Sequence, residues 1–228
     1  GNNAFSYGAR LENVVIPQNV TLIYARSFYN CPNINLNVAE GTYAEKYAIS
    51  NGINYTVRAY ADSVIASGDC GDNATWALYD SGKLVIGGSG AIADYASKDV
   101  TPWAQYLQKI TSIEIGKDIT AIGNFAFAYA HNVKSVTFEE GSKLERIGAA
   151  GFMYMLHVTE IVLPETVTFI GNNAFSYCAK LANVVVSQNV TLIYPRSFFN
   201  CPAISLTVEA DSYALNYAIT NGIAYTVK

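Results

Sequence analysis

The chain is poor in charged residues, because only 14% of its 228 residues are Asp, Glu, Lys or Arg, against roughly 25% in an ordinary soluble domain. There is no basic excess either, since 14 Lys and Arg stand against 18 Asp and Glu and give a net charge of −4. A nucleic-acid-binding surface needs cations that displace counterions, so we expect no nucleic-acid partner. Apolar residues make up 51% of the chain, which excludes intrinsic disorder.

Long apolar runs and dense cysteines are also absent. The longest apolar run, residues 149–156, has eight residues and contains a glycine, whereas a membrane span needs roughly 18. We therefore expect no membrane insertion. Four cysteines in a chain of this length do not make a disulfide scaffold. The first residues, Gly1-Asn2-Asn3, have no secretion-signal pattern.

The chain does contain a long internal repeat. Residues 1–57 and 171–227 align with an offset of 170 and are identical at 39 of 57 positions. This period predicts the end of one module, followed by a complete copy that begins at about residue 58.

A shorter repeat lies inside the long one. Four segments are 23 residues long, and the segment that begins at Val133 has two extra residues around Gly141-Ser142-Lys143. A further, partial copy occupies residues 1–10. The full segments begin at Leu11, Ile110, Val133, Val158 and Leu181.

Within each repeat the apolar residues alternate along a short stretch, which predicts a strand with one buried face. A second short apolar pair follows, and then a phenylalanine that never varies. Because 23 residues are far fewer than the roughly 40 of the smallest domains, a repeat has to bury its apolar columns against its neighbours. We predict a β-rich solenoid whose rungs stack about 4.8 Å apart. The phenylalanines are Phe5, Phe28, Phe127, Phe152, Phe175 and Phe198.

The pattern L-x-x-V-x-I-P-x-x-V-x-x-I-G-x-x-A-F-x-x-C resembles the BspA-type leucine-rich repeats of bacterial cell-surface proteins. Pro17 and Pro164 keep the proline of the pattern, and Gly123, Gly148 and Gly171 keep its glycine. The resemblance implies a right-handed leucine-rich-repeat fold, an extracellular location on the cell surface or as a secreted protein, and a role in adhesion.

Two further segments frame the repeats. Residues 43–57 and 213–227 predict a short helix, stopped by Asn-Gly, and then a closing strand. Residues 74–79 and 83–86 predict a β-hairpin around Asp80-Ser81-Gly82, and the glycine-rich residues 87–90 predict a turn at the strand end. The resulting organisation is the last rungs and cap of a preceding module (1–57), a β-hairpin head (58–109), four leucine-rich rungs (110–203) and a C-terminal cap (204–228).

No group of residues predicts catalysis, a cofactor or a metal site, and we expect a protein that is not an enzyme. Cys31, Cys178 and Cys201 share a column that also holds Gly, Ala and Met, which predicts buried free thiols rather than nucleophiles or a disulfide. His131 and His157 fall at repeat ends and are predicted to be exposed. Asp69, Asp72 and Asn73 predict an ordinary turn, because the calcium-loop spacing is missing.

Two columns of tyrosine stand out. The first follows the phenylalanine by two residues and predicts a packing ladder rather than a platform for sugars. The second pair, Tyr24 and Tyr194, is more unusual, because other repeats keep glycine there. The first column is Tyr7, Tyr129, Tyr154 and Tyr177.

The outward face of the predicted strands becomes less charged and more apolar along the module, and solenoids bind with such extended faces. We predict binding of a protein, such as host extracellular matrix, on this face. The alternatives are a structural spacer without a ligand and a glycan-binding module. Because no head precedes the first repeat, its open edge also makes an edge-to-edge dimer one expected arrangement. The predicted face is Glu114, Thr137, Glu160, Val162, Asn183 and Val185.

Overall fold

The computed structural model describes residues 1–58 and 62–228, which form two compact units, Gly1–Ser63 and Val64–Lys228. Residues 59–61, at the start of the predicted head, lie outside the described residues. The described part is mostly β-structure with two α-helices, as expected for a β-rich repeat fold.

The first unit is a three-stranded parallel sheet with a helix. Its elements are β1 (Asn13–Val15), β2 (Asn35–Ala39), α1 (Tyr43–Ser50) and β3 (Asn54–Arg58), and the strand order is β1-β2-β3. The Thr42 side chain accepts a hydrogen bond from the Glu45 N–H, which caps α1 at its start. The predicted helix and closing strand are thus confirmed, although β3 is an edge strand whose five residues are all exposed.

The second unit begins with three antiparallel strands, β4 (Val64–Asp69), β5 (Asn73–Tyr79) and β6 (Lys83–Ala91). The predicted hairpin is confirmed as β5 and β6, and Asp72 lies in the short turn between β4 and β5. The predicted strand-end turn at residues 87–90 is wrong, because this segment is the second half of β6. Gly88 has φ +76°, and a Cβ there would lie 2.1 Å from the Asn73 carbonyl oxygen. The glycines therefore allow β6 to run close to β5 rather than to reverse.

The repeats of the second unit form two parallel ladders, and a repeat with two strands contributes one strand to each ladder. The strand-face ladder contains β7 (Ser112–Ile115), β9 (Ser135–Phe138), β11 (Glu160–Val162), β13 (Asn183–Val185) and β15 (Ser205–Val208). The second ladder contains β8 (Ile119–Ile122), β10 (Arg146–Ile147), β12 (Phe169–Ile170) and β14 (Leu192–Ile193). β6 pairs in parallel with both β7 and β8, so the antiparallel strands share one nine-stranded sheet with β7–β10, β12 and β14. β11, β13 and β15 belong to a separate four-stranded sheet.

Helix α2 (Tyr213–Asn221) and β16 (Ala224–Val227) end the second unit. The Ser212 side chain caps α2 at its start, and Gly222, with φ 65°, ends it. β16 pairs with β15, and its four residues are exposed, as in the first unit.

The phenylalanine column forms the centre of the core in the second unit. Phe127, Phe152, Phe175 and Phe198 stack in turn, with neighbouring centroids 5.3–5.5 Å apart. All four rings are buried, as the repeat pattern predicts. In the first unit Phe5 stacks on Phe28 but stays 46% exposed.

Candidate functional site

The six residues predicted to form the binding face all lie on the strand-face ladder, and their neighbours on each strand point into the core. Val162 is 58% exposed, and Glu114 forms an ion pair with Lys83 at 3.8 Å. Glu114, Thr137 and Glu160 are also exposed, whereas Asn183 and Val185 are half-buried.

Part of this face is a chain of side-chain hydrogen bonds from strand to strand. The Asn183 Nδ2 donates to Glu160 Oε1 at 2.8 Å, and the Thr207 hydroxyl donates to Asn183 Oδ1 at 2.9 Å. The Asn183 amide therefore acts as both donor and acceptor and links the outward side chains of β11, β13 and β15.

The strand-face ladder is interrupted between β9 and β11. Among the described residues, β9 pairs with β7 and β11 pairs with β13, but no pairing joins β9 to β11. The second ladder continues through the same repeats, since Ile122, Ile147 and Ile170 are in register. The two repeats are therefore paired on one ladder and unpaired on the other.

A groove of about 930 Å³ opens at this interruption. Thr137, Glu160 and Val162 of the predicted face line it, whereas Glu114, Asn183 and Val185 are not among its lining residues. The other lining residues are Ser135, Val136, Phe138, Glu139, Glu140, Gly141, Ser142, Leu163, Pro164, Glu165 and Thr166.

The groove is acidic. Glu139, Glu140, Glu160 and Glu165 contribute four carboxylates, and neither Lys nor Arg is among the described residues that line it. Such a lining attracts cationic groups of a partner and repels anions.

The two extra residues of the Val133 repeat lie in the segment between β9 and β10 that borders the groove. Lys143 donates its N–H to the Lys117 carbonyl oxygen at 2.7 Å, and its ammonium forms an ion pair with Asp118 at 2.7 Å. The hydrogen bond and charge of Lys143 hold the pKa of the Asp118 carboxyl below its ordinary value. The inserted segment is therefore tied to the preceding repeat.

The cysteines are buried thiols, as predicted. In their shared column each thiol donates to the carbonyl oxygen of the phenylalanine one repeat earlier, for example from Cys201 to Phe175 at 3.0 Å. Burial raises the pKa of the Cys70 thiol to about 12. The hydrogen bond with Cys201 and burial also raise the pKa of Cys178. The environments of Cys70 and Cys178 disfavour the thiolate that a nucleophile requires, whereas the hydrogen bond with Cys178 lowers the pKa of Cys201.

The prediction that both histidines are exposed is correct for only one of them. His157 is exposed, and its Nδ1 lies 2.8 Å from the His131 carbonyl oxygen. His131 was predicted to be exposed but is half-buried, because its ring packs 5.7 Å from the ring of Tyr129.

In the second unit the first tyrosine column is a stacked ladder, whereas Tyr7 of the first unit is 70% exposed and meets Tyr29 edge-on, outside any stack. The Tyr154 ring lies 4.6 Å from that of Tyr129 and 4.5 Å from that of Tyr177. Lys98 lies over the Tyr129 ring, and Phe199 meets Tyr177 edge-on. The ring faces thus contact one another, as the packing interpretation predicts. The tyrosines have φ of 62–64°, a region that bulky residues rarely adopt, so stacking offsets backbone strain.

No helix among the described residues is both long and apolar enough to cross a membrane. The same described residues contain no group of three or more His, Cys, Asp or Glu arranged to hold a metal ion.

Parallel strand ladders around a buried phenylalanine column define a leucine-rich repeat protein. The family model of the BspA type leucine-rich repeat region matches residues 1–60 and 103–221 in six copies, and the chain belongs to this family. These matches are to repeat proteins and indicate no catalytic family.

Five solved structures resemble the chain, including the following three. A leucine-rich repeat protein from Eubacterium ventriosum is 21% identical with a TM-score of 0.53, and the alignment covers 64% of this chain and 44% of that one. A leucine-rich cell surface protein from Faecalibacterium prausnitzii is 17% identical with a TM-score of 0.45, and the alignment covers 95% of this chain and 64% of that one. The pneumococcal vaccine antigen PcpA is 16% identical with a TM-score of 0.42, and the alignment covers 96% of this chain and 56% of that one.

The Eubacterium structure shows that the fold is shared, and this chain spans less than half the length of that protein. The comparison with curated proteins gives no significant match.

Proposed function

We propose that the chain belongs to an extracellular, surface-located protein and binds a partner protein, such as a component of host extracellular matrix, through its strand face. The observation that carries the proposal is the interruption between β9 and β11, where a groove of about 930 Å³ opens in an otherwise paired ladder. Its volume is at the upper end of the range of about 300–1,000 Å³ typical of ligand sites.

The chemistry of the groove suggests the kind of segment it accepts. Its four carboxylates favour Lys or Arg in the partner, and the exposed Val162 side chain offers an apolar contact beside them. Charge complementarity accelerates association and excludes acidic partners, while burial of the apolar contact adds affinity. A basic segment that carries an apolar side chain fits both features.

The proposal includes the stacking of the repeats as rungs of one solenoid within each module, with the boundaries 1–57, 58–109, 110–203 and 204–228. The 170-residue period supports a parent protein with tandem modules. Linked copies of one weak site raise the overall avidity without any new contact.

The test is the binding of the full chain to immobilised extracellular matrix proteins, measured as saturable curves at two salt concentrations. Val162→Lys places a cation in the groove and should weaken binding at least tenfold. Val15→Lys is the matched control, because Val15 is 48% exposed at the corresponding strand position of the first unit. Equal binding by wild type and Val162→Lys would refute the groove as the contact.

A structural spacer is the second candidate, supported by the side-chain hydrogen bonds that already pair Glu160, Asn183 and Thr207 of the strand face with one another. A spacer predicts no saturable binding to any immobilised matrix protein, and wild type and both lysine variants should then be indistinguishable.

A further inference from the structure

We propose that a second site, the cleft between the end of β14 and helix α2, binds a neutral carbohydrate. The cleft has a volume of about 420 Å³, which is enough for a small ligand. It lies apart from the groove between β9 and β11 and shares no lining residue with it. Its principal lining residues are Leu192, Tyr194, Pro195, Tyr213, Asn216 and Thr220.

Tyr194 occupies a repeat position at which the backbone favours glycine. At the same position one repeat earlier, a Cβ on Gly171 would lie 2.7 Å from the carbonyl carbon of Gly148. The close approach of neighbouring repeats thus explains the glycines but not the tyrosine. Tyr194 is 42% exposed, so burial in the core does not explain it either.

The cleft exposes large side chains on both of its walls. Leu192 (37%) and Tyr194 (42%) are exposed on the strand side, and Tyr213 (40%) is exposed on the helix side. An aromatic face is electron-rich and packs well against the C–H face of a pyranose ring. These exposed side chains therefore offer the apolar half of a sugar site.

Neighbouring contacts hold the Tyr194 segment in place. The Phe169 ring lies 5.4 Å from the Tyr194 ring, and the Tyr217 hydroxyl donates to the Tyr194 carbonyl oxygen at 3.4 Å. A side chain positioned before the ligand arrives loses less entropy on binding.

The polar half of the site comes from helix α2. Asn216 and Thr220 are exposed and four residues apart, so they lie on the same face of the helix. An amide and a hydroxyl match the donors and acceptors of sugar hydroxyls. No Asp, Glu, Lys or Arg is among the described residues that line the cleft, which favours a neutral ligand over an acidic one.

The first unit provides a natural comparison. Tyr24 and Tyr43 occupy the positions of Tyr194 and Tyr213, but Lys46 replaces Asn216, and the Tyr43 hydroxyl donates to the Ile23 carbonyl oxygen at 3.5 Å. Because the first unit has a lysine in place of the asparagine amide, we propose the carbohydrate site only for the second unit.

The full chain is tested on an array of immobilised neutral oligosaccharides that end in a hexose or an N-acetylhexosamine, with sialylated and sulfated members for comparison. The neutral oligosaccharide that binds best is then titrated by calorimetry. We expect binding to neutral members, with an affinity at least tenfold weaker in Tyr194→Gly, which restores the usual residue of this repeat position. Tyr24→Gly is the matched control and should bind like the wild type, as should Val162→Lys.

Circular dichroism spectra that match the wild type establish that each variant is folded. The proposal is overturned if no neutral oligosaccharide binds, if only the charged members bind, or if Tyr194→Gly binds as wild type does. An equal loss in Tyr24→Gly and Tyr194→Gly would also overturn it, because the effect would then not belong to the cleft of the second unit.

Discussion

Trp103 stacks on Phe127, with the ring centroids 5.3 Å apart and the ring planes 13° from parallel. Its indole N–H donates to the Ala126 carbonyl oxygen at 2.9 Å, and the side chain is fully buried. The aromatic column of the second unit thus begins with a tryptophan, which covers the outer face of the first phenylalanine in the stack.

Trp103→Ala should lower the free energy of unfolding of the second unit by about 3–5 kcal/mol, because it removes a buried ring from the end of the column. Trp103→Phe keeps the stack but removes the hydrogen bond to Ala126, so it should cost about 1–2 kcal/mol. Denaturant unfolding followed by far-ultraviolet circular dichroism measures both. A loss below about 1 kcal/mol in Trp103→Ala would contradict a packing role for this ring.

The repeats made most of the fold predictable from the sequence. A column such as the one that contains Phe175 is recognisable because every repeat has the same neighbours above and below. The antiparallel strands are not repeated within the chain, and their prediction was less complete. No residue pattern indicates strand β4. The sequence predicts a turn at Gly88, because glycine is typical of both a turn and a close approach of two backbones.

The candidate groove was predictable only in part. The outward position of Glu160 and Val162 follows from strand alternation, and the extra residues near Lys143 are visible in the alignment of repeats. Whether β9 and β11 remain paired depends on how the inserted segment packs on the preceding repeat, and no residue pattern encodes this. The cleft was indicated by one signal, the tyrosine at position 194, whereas α2 had to be placed beside it by the fold.

Gly88→Ala and Gly141→Ala form a pair that separates steric clash from backbone strain. Both glycines have positive φ, at +76° and +74°. A Cβ on Gly88 would lie 2.1 Å from the Asn73 carbonyl oxygen, whereas a Cβ on Gly141 would have no atom beyond its chain neighbours within 4 Å. Gly141→Ala should cost about 1–2 kcal/mol from the left-handed backbone alone. Gly88→Ala should cost at least twice as much in the same unfolding measurement, and equal losses would contradict the close approach of β6 to β5.

The four cysteines should resist alkylation in the folded chain and all react after unfolding. Burial, together with a pKa raised to about 12, keeps the Cys70 thiol protonated at pH 8. Mass spectrometry after iodoacetamide treatment counts the modified thiols, and Val162→Cys supplies an exposed thiol as the positive control. Two unmodified cysteines that react only after reduction would indicate a Cys178–Cys201 disulfide and refute the prediction.

The ion pair between Asp118 and Lys143 should be measurable as a depressed pKa of the Asp118 carboxyl. Because Lys143 favours the charged carboxylate, any stabilisation is present above the pKa of the unfolded chain and is lost as the pH falls through the lower pKa of the folded chain. Lys143→Met should return this pKa toward its ordinary value, whereas Lys134→Met is the control and should not. A carbon-13 NMR titration of the carboxyl at low and high salt follows the change, and high salt should reduce the difference because both side chains are exposed. An unchanged titration midpoint in Lys143→Met would mean that the charge of Lys143 does not hold the inserted segment on the preceding repeat.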